Sequence, residues 1–249
     1  MDPLLISAAS GMRARMESLD MLANNLANAT TGGYKSDREF YSAYVAAEAD
    51  QAAAEGVSPE ADRQPVVEKR WTDFTQGNMR LTGNTLDIGL DGSGFLAVNG
   101  PSGLLYTRSG NLKLSSSGVL TTADGYPVRT VDGNPIQSQS KAPLVIDEDG
   151  TVHQDDQTIG QLSVVDFADR SALDKRGLNY FFNSDPQAVT QTASATVRQG
   201  NLEESNVGSA DAAGRLISVM RQFETLQKAI SIGADMNKSA VEEVARVTQ

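Results

Sequence analysis

A chain of 249 residues, 39% of them hydrophobic and 21% charged, can bury a core in one large or two modest domains. Its formal net charge of −11 lacks the basic surplus that nucleic-acid binders use to neutralise phosphates. The absence of cysteine excludes disulfides, zinc–thiolate sites and cysteine nucleophiles, and a single histidine leaves transition metals almost nothing to bind.

No run reaches the ~18 consecutive apolar residues of a membrane span. The first ten residues have no basic segment and no long apolar run, and Arg13, Arg15 and Glu17 follow at once, so no cleaved secretory signal is expected. Asp2 suits a helix cap and Pro3 the first helical position. Leu5, Ala9, Met12, Met16, Leu19, Ala23 and Leu26 then recur at spacings of four and three, a heptad seam, until Thr30, Thr31, Gly32 and Gly33 end the helix. Asn24, Asn25 and Asn28 crowd its last turns although asparagine is a mediocre helix former. Either they cap the C-terminus, or their amides bond to neighbouring chains in a packed assembly.

A polar-aromatic piece, Tyr34 to Tyr44, leads into an Ala/Glu/Asp/Gln-rich stretch from Ala46 to Gln64 with no apolar face, read as a mobile or partner-dependent connector. From about Val66 to Arg198 the rhythm shortens and glycines punctuate it. Strand-like runs stand at Phe95 to Val98, Asn111 to Leu114, Pro143 to Ile146 and Gln161 to Phe167. Asp-Gly pairs at 91–92, 124–125, 132–133 and 149–150 signal hairpins, so this region reads as an all-β domain.

A long helix is expected from Ser209 to Thr248. Leu216, Val219, Phe223, Leu226, Ile230, Gly233, Asn237, Ala240, Val244 and Val247 form a second heptad seam along it. The expected fold is α+β: terminal heptad helices forming a coiled-coil-like assembly domain, and a central all-β domain of hairpins. The boundaries are 1–45 for the N-terminal helix and its trailing segment, 46–65 for the connector, 66–200 for the β-domain and 201–249 for the C-terminal helix. A narrow apolar stripe is unstable on an isolated helix, so the two seams must pair with each other or with other copies.

Reactive chemistry is scarce. His153 sits among acids in a hairpin and reads as solvated. Asp147, Asp149 and Gly150 fail the calcium-loop spacing, since Thr158 stands where a bidentate Glu belongs. Gly89 to Gly94 matches no phosphate-binding pattern and reads as a turn. No catalytic residue, cofactor or metal is expected.

The segment from Asn25 to Lys35, Asn-Leu-Ala-Asn-Ala-Thr-Thr-Gly-Gly-Tyr-Lys, resembles the N-terminal signature of bacterial flagellar rod and hook subunits. Further blocks agree in order: Gly77, Thr82, Gly83, Leu86, Asp87, Gly92, Gly94 and Phe95; Tyr106-Thr107-Arg108; then Gly200, Leu202, Glu203, Ser205-Asn206-Val207, Arg221, Phe223, Glu224, Lys228 and Asp235. Gly208 and Ala213-Gly214 depart from the pattern and imply a looser or later start to the last helix.

The resemblance implies a non-enzymatic structural subunit of the basal-body rod. It would leave the cytoplasm without a cleaved signal, through the flagellar export apparatus, and polymerise in the periplasm with copies of itself and other rod subunits. No nucleic acid or small-molecule substrate is implied. The implied assembly interfaces are Leu5, Met12, Met16, Leu19, Asn24, Asn25, Leu26, Asn28, Thr31, Gly33 and Tyr34 at the N-terminal end. At the other end they are Ser205, Asn206, Val207, Leu216, Val219, Arg221, Phe223, Leu226 and Ile230. A modest connector favours the proximal-rod kind over the distal kind. The rivals are a secreted, non-catalytic β binding module and a cytoplasmic coiled-coil adaptor.

Overall fold

In the computed structural model the described residues are 3–45, 63–177, 179–185 and 190–247. They form two compact units. One comprises the terminal helices and a β-hairpin; the other joins Asn28–Ser36 to Asp73–Val207.

In the first unit, α1 runs from Pro3 to Ala27, and the C-terminal helix α2 from Ser209 to Val247. α2 begins at Ser209, as expected, and the Ala212 N–H donates to Gly208 O at 2.8 Å. β1 (Asp37–Val45) pairs antiparallel with β2 (Arg63–Thr72), with Asp37 opposite Thr72 and a register shift at Phe40/Tyr41. The polar-aromatic piece is therefore a strand, and β2 begins inside the stretch read as a connector; the rest of that stretch, 46–62, lies outside the described residues.

α1 packs on α2 and on β2. Its buried side is Gly11, Ala14, Ser18, Met21, Leu22 and Asn25. These also follow a heptad, but on a face more than about a third of a turn from the apolar seam read in the sequence. On that seam Met16 is 52% exposed, Ala23 is exposed, and Met12, Leu19 and Leu26 are only half-buried. The reason is steric: Gly11 and Ala14 let α2 approach, and a Cβ placed at Gly11 would lie 3.6 Å from a Leu226 methyl. On α2 most of the expected stripe turns inward, with Leu216, Val219, Phe223, Leu226, Ile230 and Gly233 half-buried and their flanks exposed, while Asn237 of the same stripe is exposed. The side chains of Leu5, Ala240, Val244 and Val247 lie outside the described residues.

Among the described residues of the second unit there are fifteen short strands. In order they are β3 (Met79–Leu81), β4 (Ile88–Asp91), β5 (Phe95–Gly100), β6 (Gly103–Thr107), β7 (Leu112–Leu114), β8 (Leu120–Thr122), β9 (Val145–Ile146) and β10 (Thr151–Gln154). There follow β11 (Gln157–Gln161), β12 (Val164–Phe167), β13 (Leu173–Arg176), β14 (Tyr180–Asn183), β15 (Thr190–Thr192), β16 (Thr196–Gln199) and β17 (Asn201–Glu203). An antiparallel sheet of order β13-β14-β6-β5-β12-β15 lies at the centre.

Strand alternation in β5 divides the core. Leu96 and Val98 enter an aliphatic cluster with Leu120, Val128, Ile136 and Val152. Phe95 and Ala97 enter an aromatic one with Tyr106, Phe167 and Phe181, whose rings meet edge-on at 4.8–6.1 Å. Burying both faces of the sheet removes apolar area worth about 25 cal/mol per Å².

Three of the four Asp-Gly pairs make tight turns, at Gly125, Gly133 and Gly150, whose N–H groups close onto Thr122, Thr130 and Asp147. The pair at 91–92 does not make a hairpin: it sends β4 to pair with β16 and β5 to pair with β6, in different sheets. A turn the sequence hid is Asp155-Asp156 between β10 and β11, with φ of 50° and 60° and no glycine.

Candidate assembly site

The N-terminal signature is bound into the β-unit by a buried clasp. The strand pair β17–β3 places Glu203 opposite Met79, so the C-terminal arm runs back along the start of the unit. Glu203, 1% exposed, accepts Lys35 Nζ at 2.5 Å and the Gly77 N–H at 2.9 Å on Oε1, and Arg108 at 3.2 Å on Oε2. Lys35 is fully buried and gives a second hydrogen bond to Thr75 O at 2.6 Å. Arg108 also donates to Leu90 O at 3.1 Å and Gly92 O at 2.6 Å, and stacks over Phe95 at 5.4 Å.

Burial pushes the Lys35 ammonium below the ordinary lysine value against the pull of Glu203, and acts on Arg108 in the same way. A buried triad is no source of stability beyond an apolar replacement, but stripping one member leaves an uncompensated charge, at roughly 3–5 kcal/mol.

The backbone of the signature is held as tightly as its charge. Gly33 has φ +70°, its N–H donates to Glu203 O at 2.7 Å, and a Cβ there would lie 2.4 Å from Ser109 N. Only glycine fits. Tyr34 is buried under Lys175 Nζ, 4.4 Å from its ring centre, and the same ammonium bonds Lys35 O at 2.8 Å. Asn206 works as a three-way clip: its Oδ1 accepts the Ser36 N–H at 2.8 Å, its Nδ2 donates to Asp73 O at 2.7 Å, and its own N–H donates to Tyr34 O at 3.3 Å.

Of the residues expected at the N-terminal interface, Gly33 and Tyr34 thus make their contacts inside the chain. Asn28 accepts from Thr31, backbone at 3.1 Å and hydroxyl at 3.2 Å, which is the local-capping reading. Asn25, in the helix unit, fits neither reading: its amide pairs with both backbone groups of Asp37, donating at 2.7 Å and accepting at 3.0 Å, as a strand would. Asn24 is exposed. Buried Ser18 adds a second tie from α1 to β1 through Glu39 at 2.7 Å. At the C-terminal end, Ser205 and Val207 are half-buried beside Asn206, joined by the Val207 N–H to Ser205 Oγ at 3.2 Å, and Arg221 is exposed.

Residue order alone assigns Lys35, Arg108 and Glu203 no role beyond their places in the signature blocks. Their signal was faint but present: charged residues inside otherwise glycine-rich or apolar blocks. His153, bonded to Asp147 at 3.0 Å and Thr158 at 3.2 Å, sits on an exposed hairpin.

Three family descriptions match in order: "Flagella basal body rod protein" over residues 5–35, "Flagellar hook protein FlgE/F/G D1 domain" over 89–154, and "Flagellar basal body rod FlgEFG protein C-terminal" over 198–243. The first and last carry the clasp residues Lys35 and Glu203. The flagellar basal-body rod protein FlgF of Caulobacter vibrioides is 32% identical over 99% of this chain and 100% of its own length. FlgG of Bacillus subtilis is 29% identical over 95% of this chain and 97% of its own, and FlgF of Mesorhizobium japonicum 27% identical over 90% of each. The chain belongs to the flagellar basal-body rod protein family and is a non-enzymatic structural subunit of that rod.

Proposed function

We propose that this subunit polymerises through a coiled-coil-like domain formed by α1 and α2, and that it is of the proximal-rod kind. The observation that carries the assembly reading is the apolar stripe on α1. Met12, Met16, Leu19 and Leu26 keep heptad spacing yet stand off the face that packs on α2 and β2. Ile217, Met220, Ile232 and Met236 are likewise exposed along α2. A helix such as α1, carrying two apolar faces, suits a polymer in which one face meets the same chain and the other a neighbour. Arg221 and Asn24 lie where such neighbours would pass.

The proximal reading rests on the modest segment between α1 and the β-unit. As a rod subunit the chain is taken to travel through the flagellar export apparatus and to assemble in the periplasm. The binding-module and cytoplasmic-adaptor readings lose their support with the family assignment.

The test is deletion of the gene, with motility and purified basal bodies read by electron microscopy. Rings carrying a truncated rod and no hook are expected, a shorter stub marking a more proximal position. Complete hooks on swimming cells would overturn the reading.

A further inference from the structure

We infer that residues 196–207 form a latch: the N-terminal signature cannot dock on the β-unit until this strap, made near the end of the chain, is laid down beside it. This order of folding holds whatever the chain goes on to assemble with.

The strap crosses the unit in two steps. β16 pairs with β4, and β17 with β3. Between them the chain turns at Gly200, whose N–H donates to Asp87 O at 2.7 Å and whose O accepts the N–H groups of Thr82 and Gly83 at 2.8 and 3.1 Å. Beyond the turn the strap receives the signature: the N–H groups of Gly33 and Ser36 end on Glu203 O and Asn206 Oδ1.

Little else in the unit waits for the strap. Apart from Val197, every buried residue of the two apolar clusters described above lies between positions 88 and 181. The hairpins β5–β6, β10–β11 and β13–β14 join neighbours in sequence. Contacts of that kind close short loops and form early. The Lys35–Glu203 pair closes a loop of 168 residues, which carries the larger entropic cost and comes late.

Charge makes the order strict. Without the strap, a docked signature would place the Lys35 ammonium, fully buried, beside the buried Arg108 guanidinium with no Glu203 carboxylate to join them. Asp73 also attracts Lys35, but less than Glu203 does. An uncompensated charge in a dry site is strongly unfavourable, so the signature stays in water until Glu203 is in place. Chains are made from the N-terminus at about 5–20 residues per second, so the signature precedes Glu203 by roughly 10–30 s. A chain cut short of Glu203 never closes, and only a finished subunit carries the signature docked.

The test is refolding of the wild-type full chain from denaturant, pulse-labelled by hydrogen exchange and read amide by amide. The Asp73 N–H, bonded to Ser36 O at 2.8 Å, reports the docked signature through a bond that includes no strap atom. The N–H groups of Gly200 and Glu204, on Asp87 O and Asn78 O, report the strap, and those of Leu120 and Val128 report the interior. Asp73 should gain protection together with Gly200 and Glu204 or after them, and later than Leu120 and Val128. Protection of Asp73 ahead of the strap, or all five amides in one phase, would overturn the latch. Full-length Glu203→Gln then isolates the charge. It should slow the Asp73 phase by about ten-fold and leave the Leu120 and Val128 phase unchanged, because Glu203 acts after the interior has formed. Equal slowing of both phases, or of neither, would also sink the proposal.

Discussion

The clasp and the helix pair solve the same problem, holding the two ends of one chain, by opposite means. In the clasp nearly every polar group has a partner within the protomer: Glu203 collects three donors, Asn206 binds three segments, and Gly33 admits no other residue. Along α1 and α2 only one narrow stripe is shared, while Met16, Ile217, Met220, Ile232 and Met236 remain exposed. The clasp is therefore complete in the single subunit, and the helix pair is not. Substitutions in the first should cost stability; substitutions on the outer faces of the second should cost assembly.

The largest effect should come from Glu203→Ala, which strands the Lys35 and Arg108 charges in a dry site. A loss of roughly 3–5 kcal/mol is expected in denaturant unfolding of the full chain. A loss below about 1 kcal/mol would mean that water reaches the triad. Gly33→Ala comes next. The positive φ alone costs about 1–3 kcal/mol, and the methyl would press on the Arg108–Ser109 backbone, which cannot turn aside as a side chain can. Thermal melting with wild-type behaviour would show the signature undocked.

Met16→Asp tests the other arm of the contrast. Unfolding free energy should change by no more than about 0.5 kcal/mol, as for other exposed positions, while motility is lost. Swimming cells would remove the outer stripe of α1 from the interface.

The smallest effect is one of pH. Burial opposes ionisation of Asp166, but three hydrogen bonds from Arg170 at 2.9–3.2 Å and one from the Phe167 N–H hold its carboxyl below the ordinary value. A depressed folded value means that the pair contributes fully above the ordinary carboxylate pKa and is lost as pH falls through the folded one. Asp166→Asn should flatten that acid limb by lowering stability at neutral pH by less than about 1 kcal/mol, leaving stability at the acid end nearly unchanged. Acid titrations of the two proteins that superimpose would show that the pair contributes nothing.

Much of this was legible from residue order. Heptad spacing located both helices, and on α2 it named the inward stripe, because large apolar residues supply that face. On α1 it named the wrong one for packing within the chain, since the face that packs on α2 and β2 includes glycine, alanine, serine and asparagine, which a search for apolar residues passes over. Asp-Gly pairs located three turns and failed at 91–92, where the next strand pairs elsewhere. The Asp155-Asp156 turn was invisible because neither residue advertises positive φ.

Sequence alone determined the α+β class, the order helix, β-region, helix, and the family through its signature blocks, because periodicity and motif spacing are local properties of the chain. Tertiary structure decided what those blocks are for. It alone brings Lys35, Arg108 and Glu203 together across 168 residues, since the pairing of buried charges depends on which strands lie side by side. It also decided which face of α1 is left for a neighbour, since the approach of α2 and the hairpin selects small residues over large ones.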